Sequence, residues 1–272
     1  MNLQVSKNKI CLRQRLLTYS IFTLALVAGG CVQLQESGQT VFLITSPAQE
    51  AQMGAQAFAD IKKKKRMTKN TSVNAQVQRV ANRLRKVVRV PNSQWEVVVF
   101  EDKTPNAFAL PGGKIGIYTG ILPITKNDAG LAAVIGHELA HITLRHGGQR
   151  LSQQMALAGG ITFAQLAMKD TASRTKRLAL AALGAGAVYG ISLPYSRSHE
   201  YEADRFGMNY MAKAGYNPAE AIELWKRMQA YSRKNGGKPP EFMSTHPSDA
   251  NRIQRLQMYL PEANRLYKQS NL

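Results

Sequence analysis

The segment HELAH at residues 137–141 carries the residue types of a zinc site that activates water. On a helix, two histidines four residues apart lie one above the other on one face, so both imidazoles can bind one Zn²⁺. Glu138 lies beside them, where it can take a proton from the attacking water. Because the surrounding residues are apolar, burying this trio without a metal would be costly. We predict that His137 and His141 bind zinc and that Glu138 is the catalytic base.

A catalytic zinc usually has three protein ligands and one open position, so a third ligand must come from elsewhere. The candidates lie in the run SHEYEAD at residues 198–204. Glu200 and Asp204 share a helix face, whereas Glu202 is turned about 200° from Glu200. One carboxylate can bind the metal while the other holds a ligand histidine by its free N–H. We assign Glu200 as the third ligand and Asp204 as the orienting group, and expect Glu202 and His199 to face solvent.

Helical signals occur on both sides of these motifs. Ser46, Pro47 and Gln49 form a capping box with proline at the first helical position, which predicts a helix to about residue 66. The HELAH helix is predicted to have Asp128 as its N-cap and to end at the glycine pair 147–148. Further helices are predicted over residues 73–90, 197–213, 218–234 and 248–260.

A short β region lies between the second and third helical signals. Strands are predicted over residues 95–100, 106–111 and 114–120, with Gly112-Gly113 as a turn. The second of these strands is the predicted substrate edge strand, which would pair with an extended polypeptide by β-augmentation. Its candidate residues are Asn106, Ala107, Phe108 and Ala109.

Residues 151–193 are rich in alanine, glycine, leucine and methionine. The longer apolar stretch, 178–193, is shorter than the roughly 20 residues that span a bilayer, so we predict buried or interfacial helices. Membrane spans are the alternative interpretation.

The N-terminal segment has the order of a secretory signal peptide. Residues 1–15 carry four basic and no acidic side chains, and residues 16–30 are apolar and then small. Cys31 follows at once, in an arrangement that resembles a bacterial lipoprotein signal with a lipidated cysteine. The alternative is an ordinary cleavage site followed by a coincidental cysteine. We predict a signal peptide over residues 1–30, a tether over 31–45 and one domain over 46–272.

Thirty-six basic and 17 acidic residues give a formal charge of +19, and a basic cluster lies at residues 62–66. This cluster is interpreted first as a solvated helix end and second as a contact with anionic lipid. Nucleic acid is not an expected partner, because no recognisable binding module accompanies the charge. The partner of the basic surface and the oligomeric state stay open.

Four separated motifs together resemble the M48 family of zinc metallopeptidases, in its bacterial envelope lipoprotein and periplasmic branch. They are HELAH, the run 196–207, STHPSDANRI at 244–253 and the strand pair 106–122. The resemblance implies an α+β, predominantly helical, zincin-like (gluzincin) domain with a small β-sheet and an HExxH helix. It also implies one Zn²⁺ per chain, held by His137, His141 and Glu200.

The same resemblance places two further residues near the site. His246 is expected to be a gate at the fourth zinc position or a transition-state contact, although it could merely cap a loop. Arg252 is expected either to donate to a developing oxyanion or to pair with an acid on its own helix.

These residues together predict a zinc endopeptidase that hydrolyses misfolded or misassembled envelope and outer-membrane proteins. We expect it to be exported and anchored in a membrane through Cys31. Because Val32 rather than aspartate follows the cysteine, the outer membrane facing the periplasm is favoured in a Gram-negative source. One alternative is a chaperone or assembly factor with rare or gated proteolysis. The other is a multi-pass membrane peptidase with spans in residues 151–193.

Overall fold

The computed structural model describes residues 30–90, 92–167, 196–246 and 251–270, which form two compact units divided after Ile44. The predicted signal peptide lies outside the described residues except for Gly30. In the first unit, β1 (Cys31–Gln33) and β2 (Thr40–Phe42) form an antiparallel hairpin within the segment predicted as a tether. Cys31 is exposed at the start of β1.

The second unit begins with two amphipathic helices. Helix α1 (Pro47–Lys64) has the predicted capping box at Ser46, with both of its hydrogen bonds present. Helix α2 (Thr71–Arg85) is capped by Asn70 and buries Val77, Val80 and Leu84 along one stripe. It ends five residues before the predicted boundary at residue 90, and a short non-helical turn follows it.

The basic cluster at the end of α1 is largely paired with acidic side chains. Lys62 contacts Glu96, and Lys65 lies 2.7 Å from Asp102. Arg66 lies 3.0 Å from Glu101. These pairs favour the interpretation of the cluster as a solvated helix end.

Three strands form a mixed sheet in the order β3-β5-β4. Strand β5 (Lys114–Tyr118) is central, pairs in parallel with β3 (Glu96–Phe100) and pairs antiparallel with β4 (Ala107–Leu110). The β4–β5 turn uses Gly112 and Gly113 at φ values of 82° and 80°, a backbone region that favours glycine. Strand β4 therefore lies at a sheet edge, as predicted for the substrate strand.

Helices make up most of the remaining described chain, so the predicted α+β, predominantly helical class is confirmed. After a 3₁₀ helix at Thr119–Ile121, they are α3 (Leu122–Thr125), α4 (Asp128–Thr143), α5 (His146–Ala167), α6 (Arg197–Lys213), α7 (Ala219–Lys234), α8 (Glu241–Thr245) and α9 (Arg252–Gln269).

The predicted end of the HELAH helix is wrong. Helix α4 ends at Thr143, and Arg145 adopts a left-handed conformation at φ 53°. The glycine pair at 147–148 lies instead inside the first turn of α5. A buried ion pair between Arg145 and Glu50, at 2.7 Å, holds this arginine in a conformation that usually requires glycine.

The predicted end of the last helix at residue 260 is also wrong. Helix α9 continues through Pro261 to Gln269. An internal proline costs a helix about 3 kcal/mol. Packing offsets this cost, because α9 buries Leu256 and Ala263 and its Glu262 pairs with Arg205 of α6. The predicted start at residue 248 lies outside the described residues.

Within the described ranges, no helix combines the length and the apolar character that crossing a membrane requires. The longer apolar stretch, 178–193, lies outside those ranges, so the prediction of a buried or interfacial helix there falls outside the described residues.

Candidate metal centre

Helix α4 places the two histidines of HELAH on one buried face. The N-cap is Asn127 rather than the predicted Asp128, and it accepts a hydrogen bond from the Gly130 N–H at 2.7 Å. One turn apart, His137 and His141 are 5% and 3% exposed, and their Nε2 atoms lie 3.1 Å from each other. The predicted convergence of the two imidazoles is therefore observed.

Helix α6 brings the predicted third ligand against these histidines. The two helices approach closely where Gly207 faces α4, and a Cβ atom there would lie only 2.7 Å from the His137 backbone nitrogen. This approach sets Glu200 Oε2 at 3.3 Å from His137 Nε2, and Glu200 Oε1 at 3.4 Å from His141 Nε2. Glu200 is 1% exposed.

His246 completes a group of four potential metal ligands. It follows α8, and its Nδ1 lies 3.3 Å from His137 Nε2 and 3.2 Å from Glu200 Oε1. One ligand atom from each of His137, His141, Glu200 and His246 lies within 4.8 Å of the other three. The ring of Phe242 stacks on the His246 imidazole, with centroids 4.7 Å apart.

The spacing of these donor atoms fits zinc. Ligands at about 2.0–2.1 Å from a tetrahedral Zn²⁺ are separated from one another by about 3.3–3.4 Å. Four of the separations given above, which use Nε2 of the two HELAH histidines, Nδ1 of His246 and Oε1 of Glu200, range from 3.1 to 3.4 Å. Moreover, Glu200 Oε2 is buried and meets an Arg252 nitrogen at 2.9 Å without the geometry of a hydrogen bond, so this oxygen can still bind a metal. The predicted zinc group is confirmed as a buried cluster able to hold the ion.

Asp204 lies behind His137, on the side away from the other ligand atoms. Its Oδ1 is 3.1 Å from His137 Nδ1. Burial lowers the pKa of His137, but hydrogen bonds to Asp204 and Glu200 outweigh burial and raise that pKa to about 9. The contact matches the predicted orienting arrangement, in which a carboxylate fixes the ring and leaves Nε2 for the metal.

Arg252 joins Glu200 and Asp204 of α6 and is 1% exposed. It donates to Asp204 through Nε at 2.7 Å and Nη2 at 2.8 Å, and its Nη1 lies 2.9 Å from Glu200 Oε2. Its guanidinium group stacks on Trp225, with Cζ 3.7 Å from the ring centroid. The expected pairing with an acid on its own helix is wrong, because the acids belong to α6. A role in binding an oxyanion stays a prediction.

Glu138 lies between the histidine group and the sheet edge. Its Oε2 accepts a hydrogen bond from the Ala109 N–H of β4 at 3.1 Å. Its Oε1 is 3.1 Å from His246 Nε2 but is buried without a hydrogen bond of suitable direction. Burial raises the pKa of Glu138, although the neighbouring histidines oppose that shift. A base with a raised pKa suits proton transfer near neutral pH.

The prediction that Glu202 and His199 face solvent is wrong. Both are half-buried and contact His146, a fully buried residue to which sequence analysis gave no role. Glu202 Oε2 lies 3.1 Å from His146 Nε2, and His199 stacks on the His146 ring at 4.2 Å. One signal was available in the sequence: the chain has five histidines, and all five lie at this centre or directly behind it.

A mostly helical fold with an HExxH helix and a glutamate ligand from a later helix defines a zincin-like metal centre. A model of peptidase family M48 matches residues 71–260. The chain belongs to peptidase family M48, which confirms the family predicted from the motifs.

Its relatives include proteases of eukaryotes and of bacteria. The mitochondrial metalloendopeptidase OMA1 of Schizosaccharomyces pombe is 40% identical over 187 residues, which cover 69% of this chain and 53% of that protein. OMA1 of Saccharomyces cerevisiae is 37% identical, covering 65% of this chain and 50% of that protein. A putative beta-barrel assembly-enhancing protease of Vibrio cholerae is 30% identical, covering 70% and 40%. The chain thus spans about half or less of these relatives.

The predicted location, an exported protein anchored by lipid in the cell envelope, is wrong. The two relatives of highest identity given above are mitochondrial metalloendopeptidases of eukaryotes. The prediction depended on a short N-terminal pattern. A basic segment without acidic residues also begins mitochondrial targeting sequences, so this feature does not discriminate between compartments.

Proposed function

We propose that this chain is a zinc-dependent endopeptidase that hydrolyses misfolded or misassembled polypeptides. The observation that carries the proposal is the position of Glu138. This buried carboxylate lies between a group of potential zinc ligands and the backbone N–H of the edge strand β4. A base, a Lewis-acid site and a substrate edge are thereby brought together, as peptide hydrolysis requires.

His137, His141 and Glu200 would hold the zinc. When bound, zinc polarises the scissile carbonyl group and lowers the pKa of the attacking water. Glu138 takes a proton from that water and later donates it to the leaving amine. The Ala109 N–H holds Glu138 Oε2, so Oε1 is the oxygen available for the proton.

The edge strand suits an extended substrate. The hydrogen bond from the Tyr118 N–H to the Asn106 carbonyl sets the alternation of the β4–β5 ladder. It follows that Ala107 and Ala109 direct their backbone groups away from β5, and their carbonyls face the free edge while their N–H groups donate to Asn106 Oδ1 and Glu138 Oε2. A substrate strand that pairs there is recognised through its backbone hydrogen bonds. This mode of binding accepts many side chains but excludes folded segments. This selectivity suits a peptidase of unfolded chains.

His246 is proposed as the gate of this site. Its ring lies against His137 and Glu200 on one side and 3.1 Å from Glu138 Oε1 on the other. It thus occupies the space between the base and the metal ligands that the attacking water needs. Turnover therefore requires the His246 ring to withdraw.

A second candidate function is a chaperone or assembly factor in which proteolysis is rare. Two observations favour it: the closed position of His246, and the likeness to beta-barrel assembly-enhancing proteases. The variant Glu138→Gln distinguishes the candidates, because a holding role survives loss of the base and a peptidase role does not.

The experiment that tests the proposal compares two forms of one substrate. The purified full chain with zinc is incubated with native ribonuclease A and with the reduced, carboxymethylated, unfolded form. We expect cleavage of the unfolded form alone, and faster cleavage by His246→Ala. Equal cleavage of both forms would contradict selection through the edge strand, and slower cleavage by His246→Ala would contradict the gate.

A further inference from the structure

The second zinc-binding histidine is contacted from behind by another histidine. While His141 Nε2 faces His137 and Glu200, its Nδ1 lies 2.9 Å from Nδ1 of His146. His146 is 0% exposed, and its own Nε2 lies 3.1 Å from Glu202 Oε2. A line of three side chains therefore runs from the metal group to a carboxylate on α6.

The proton positions along this line follow from the chemistry of imidazole. A histidine that binds metal through Nε2 carries its proton on Nδ1. The His141 Nδ1–H then donates to His146 Nδ1, which must be an unprotonated acceptor. The proton of His146 is consequently on Nε2, where it donates to Glu202.

We propose that His146 is a positioning residue that orients His141 for zinc, and that Glu202 fixes the tautomer of His146. The proposal concerns the metal centre and so rests on the proposed function. It gives both histidine ligands an equivalent support, since His137 is held directly by Asp204 and His141 is held by Glu202 through His146. Both acids belong to α6.

The backbone around His146 is built to hold this ring in place. Arg145, at φ 53°, turns the chain so that His146 faces back towards α4. Arg145 is itself fixed by Glu50, through contacts of 2.7 and 3.2 Å, and by the Thr45 carbonyl at 2.6 Å. On its other face the His146 ring stacks on His199, at 4.2 Å and an interplanar angle of 12°.

Zinc affinity of the full-length protein, measured by competition with a chelator, tests the proposal without any substrate. His146→Phe keeps a ring to stack on His199 but removes the acceptor for His141. We expect it to lower zinc affinity about 10- to 100-fold. His146→Asn places an acceptor oxygen near the position of Nδ1 and should recover most of that loss. In the cobalt-substituted protein, the visible absorption bands should shift in the Phe variant and return in the Asn variant.

A second pair of variants decides the matter if His146→Phe does not fold. Glu202→Ala should weaken zinc binding, whereas the matched control Glu262→Ala should not. Glu262 of α9 pairs with Arg205, which lies on α6 like Glu202. The side chain of Glu262 is 34% exposed and that of Glu202 is 27% exposed. The proposal would be overturned if His146→Phe bound zinc as tightly as the wild type, or if His146→Phe and His146→Asn lost equal affinity. Equal effects of Glu202→Ala and Glu262→Ala would also overturn it. Absence of proteolysis would leave it intact, because affinity is measured without substrate.

Discussion

Replacing Arg252 by methionine should destabilise the protein, because the buried carboxylates of Asp204 and Glu200 lose the positive charge that pairs with them. The guanidinium group is 1% exposed and makes two hydrogen bonds to Asp204 and a 2.9 Å contact with Glu200. Breaking a buried pair by removing one partner costs about 3–5 kcal/mol. For a domain of this size, that loss lowers the melting temperature by about 6–20 °C.

Arg205→Met is the matched control. Arg205 also places two nitrogens on one carboxylate, that of Glu262, but its side chain is 49% exposed. An exposed pair contributes about 0–1 kcal/mol, so the control should melt within about 4 °C of the wild type. The contrast compares the same substitution in a buried and in an exposed arginine, although Arg252 also pairs with Glu200 and stacks on Trp225.

The assay is scanning calorimetry of both variants, with and without zinc. The carboxylates of Glu200 and Asp204 both face the guanidinium group, and bound zinc would supply positive charge beside Glu200 when that group is removed. Zinc should therefore reduce the deficit of the Arg252 variant. A melting temperature lowered no more than in Arg205→Met would refute the reasoning.

Three further predictions concern the metal and the edge strand. Because the pKa of His137 is raised to about 9, zinc must displace a proton from this histidine below that pH. Zinc affinity measured by chelator competition should therefore rise about tenfold per pH unit from 7 to 9. A zinc affinity that does not change with pH would contradict this prediction. Ala109→Pro removes the N–H that holds Glu138, on the edge side where proline is tolerated, and should lower kcat/KM about 10- to 100-fold while zinc content stays the same; unchanged kinetics would exclude this role. Gly207→Ala would place a Cβ 2.7 Å from the His137 backbone nitrogen and push Glu200 away from the histidines. Equilibrium dialysis should therefore show weaker zinc binding. Zinc binding as tight as in the wild type would argue against the close packing of α6 on α4.

Local rules were sufficient to predict the ligands. A helical repeat places His137 and His141 on one face and puts Glu200 and Asp204 one turn apart, so these side chains are found where the spacing indicates. The capping box at Ser46 and the glycine turn at 112–113 are equally local, and both were predicted.

Contacts between distant segments could not be predicted. Arg145 ends the HELAH helix only because Glu50, 95 residues earlier, stabilises its left-handed conformation. Glu202 points away from Glu200, and it reaches the centre because His146 fills the space between it and His141. Neither the hydrophobic pattern nor the helix-end signals of the sequence indicate which distant residues will pair.

The error in location had another origin. A short basic and apolar N-terminal pattern is shared by several kinds of targeting segment, so it constrains the compartment much less than the motifs constrain the chemistry. The four motifs are separated along the chain and depend on one folded geometry, which is why they identified the family.

Zinc content and casein cleavage by the purified full chain, measured for wild type beside Glu138→Gln, test the central claim most directly. We expect one zinc per chain in both proteins, and cleavage lower by about 10²- to 10⁴-fold in the variant. Zinc bound to both with equal cleavage would contradict the role of Glu138 as base. A wild type that folds but binds no zinc would contradict the metal centre itself.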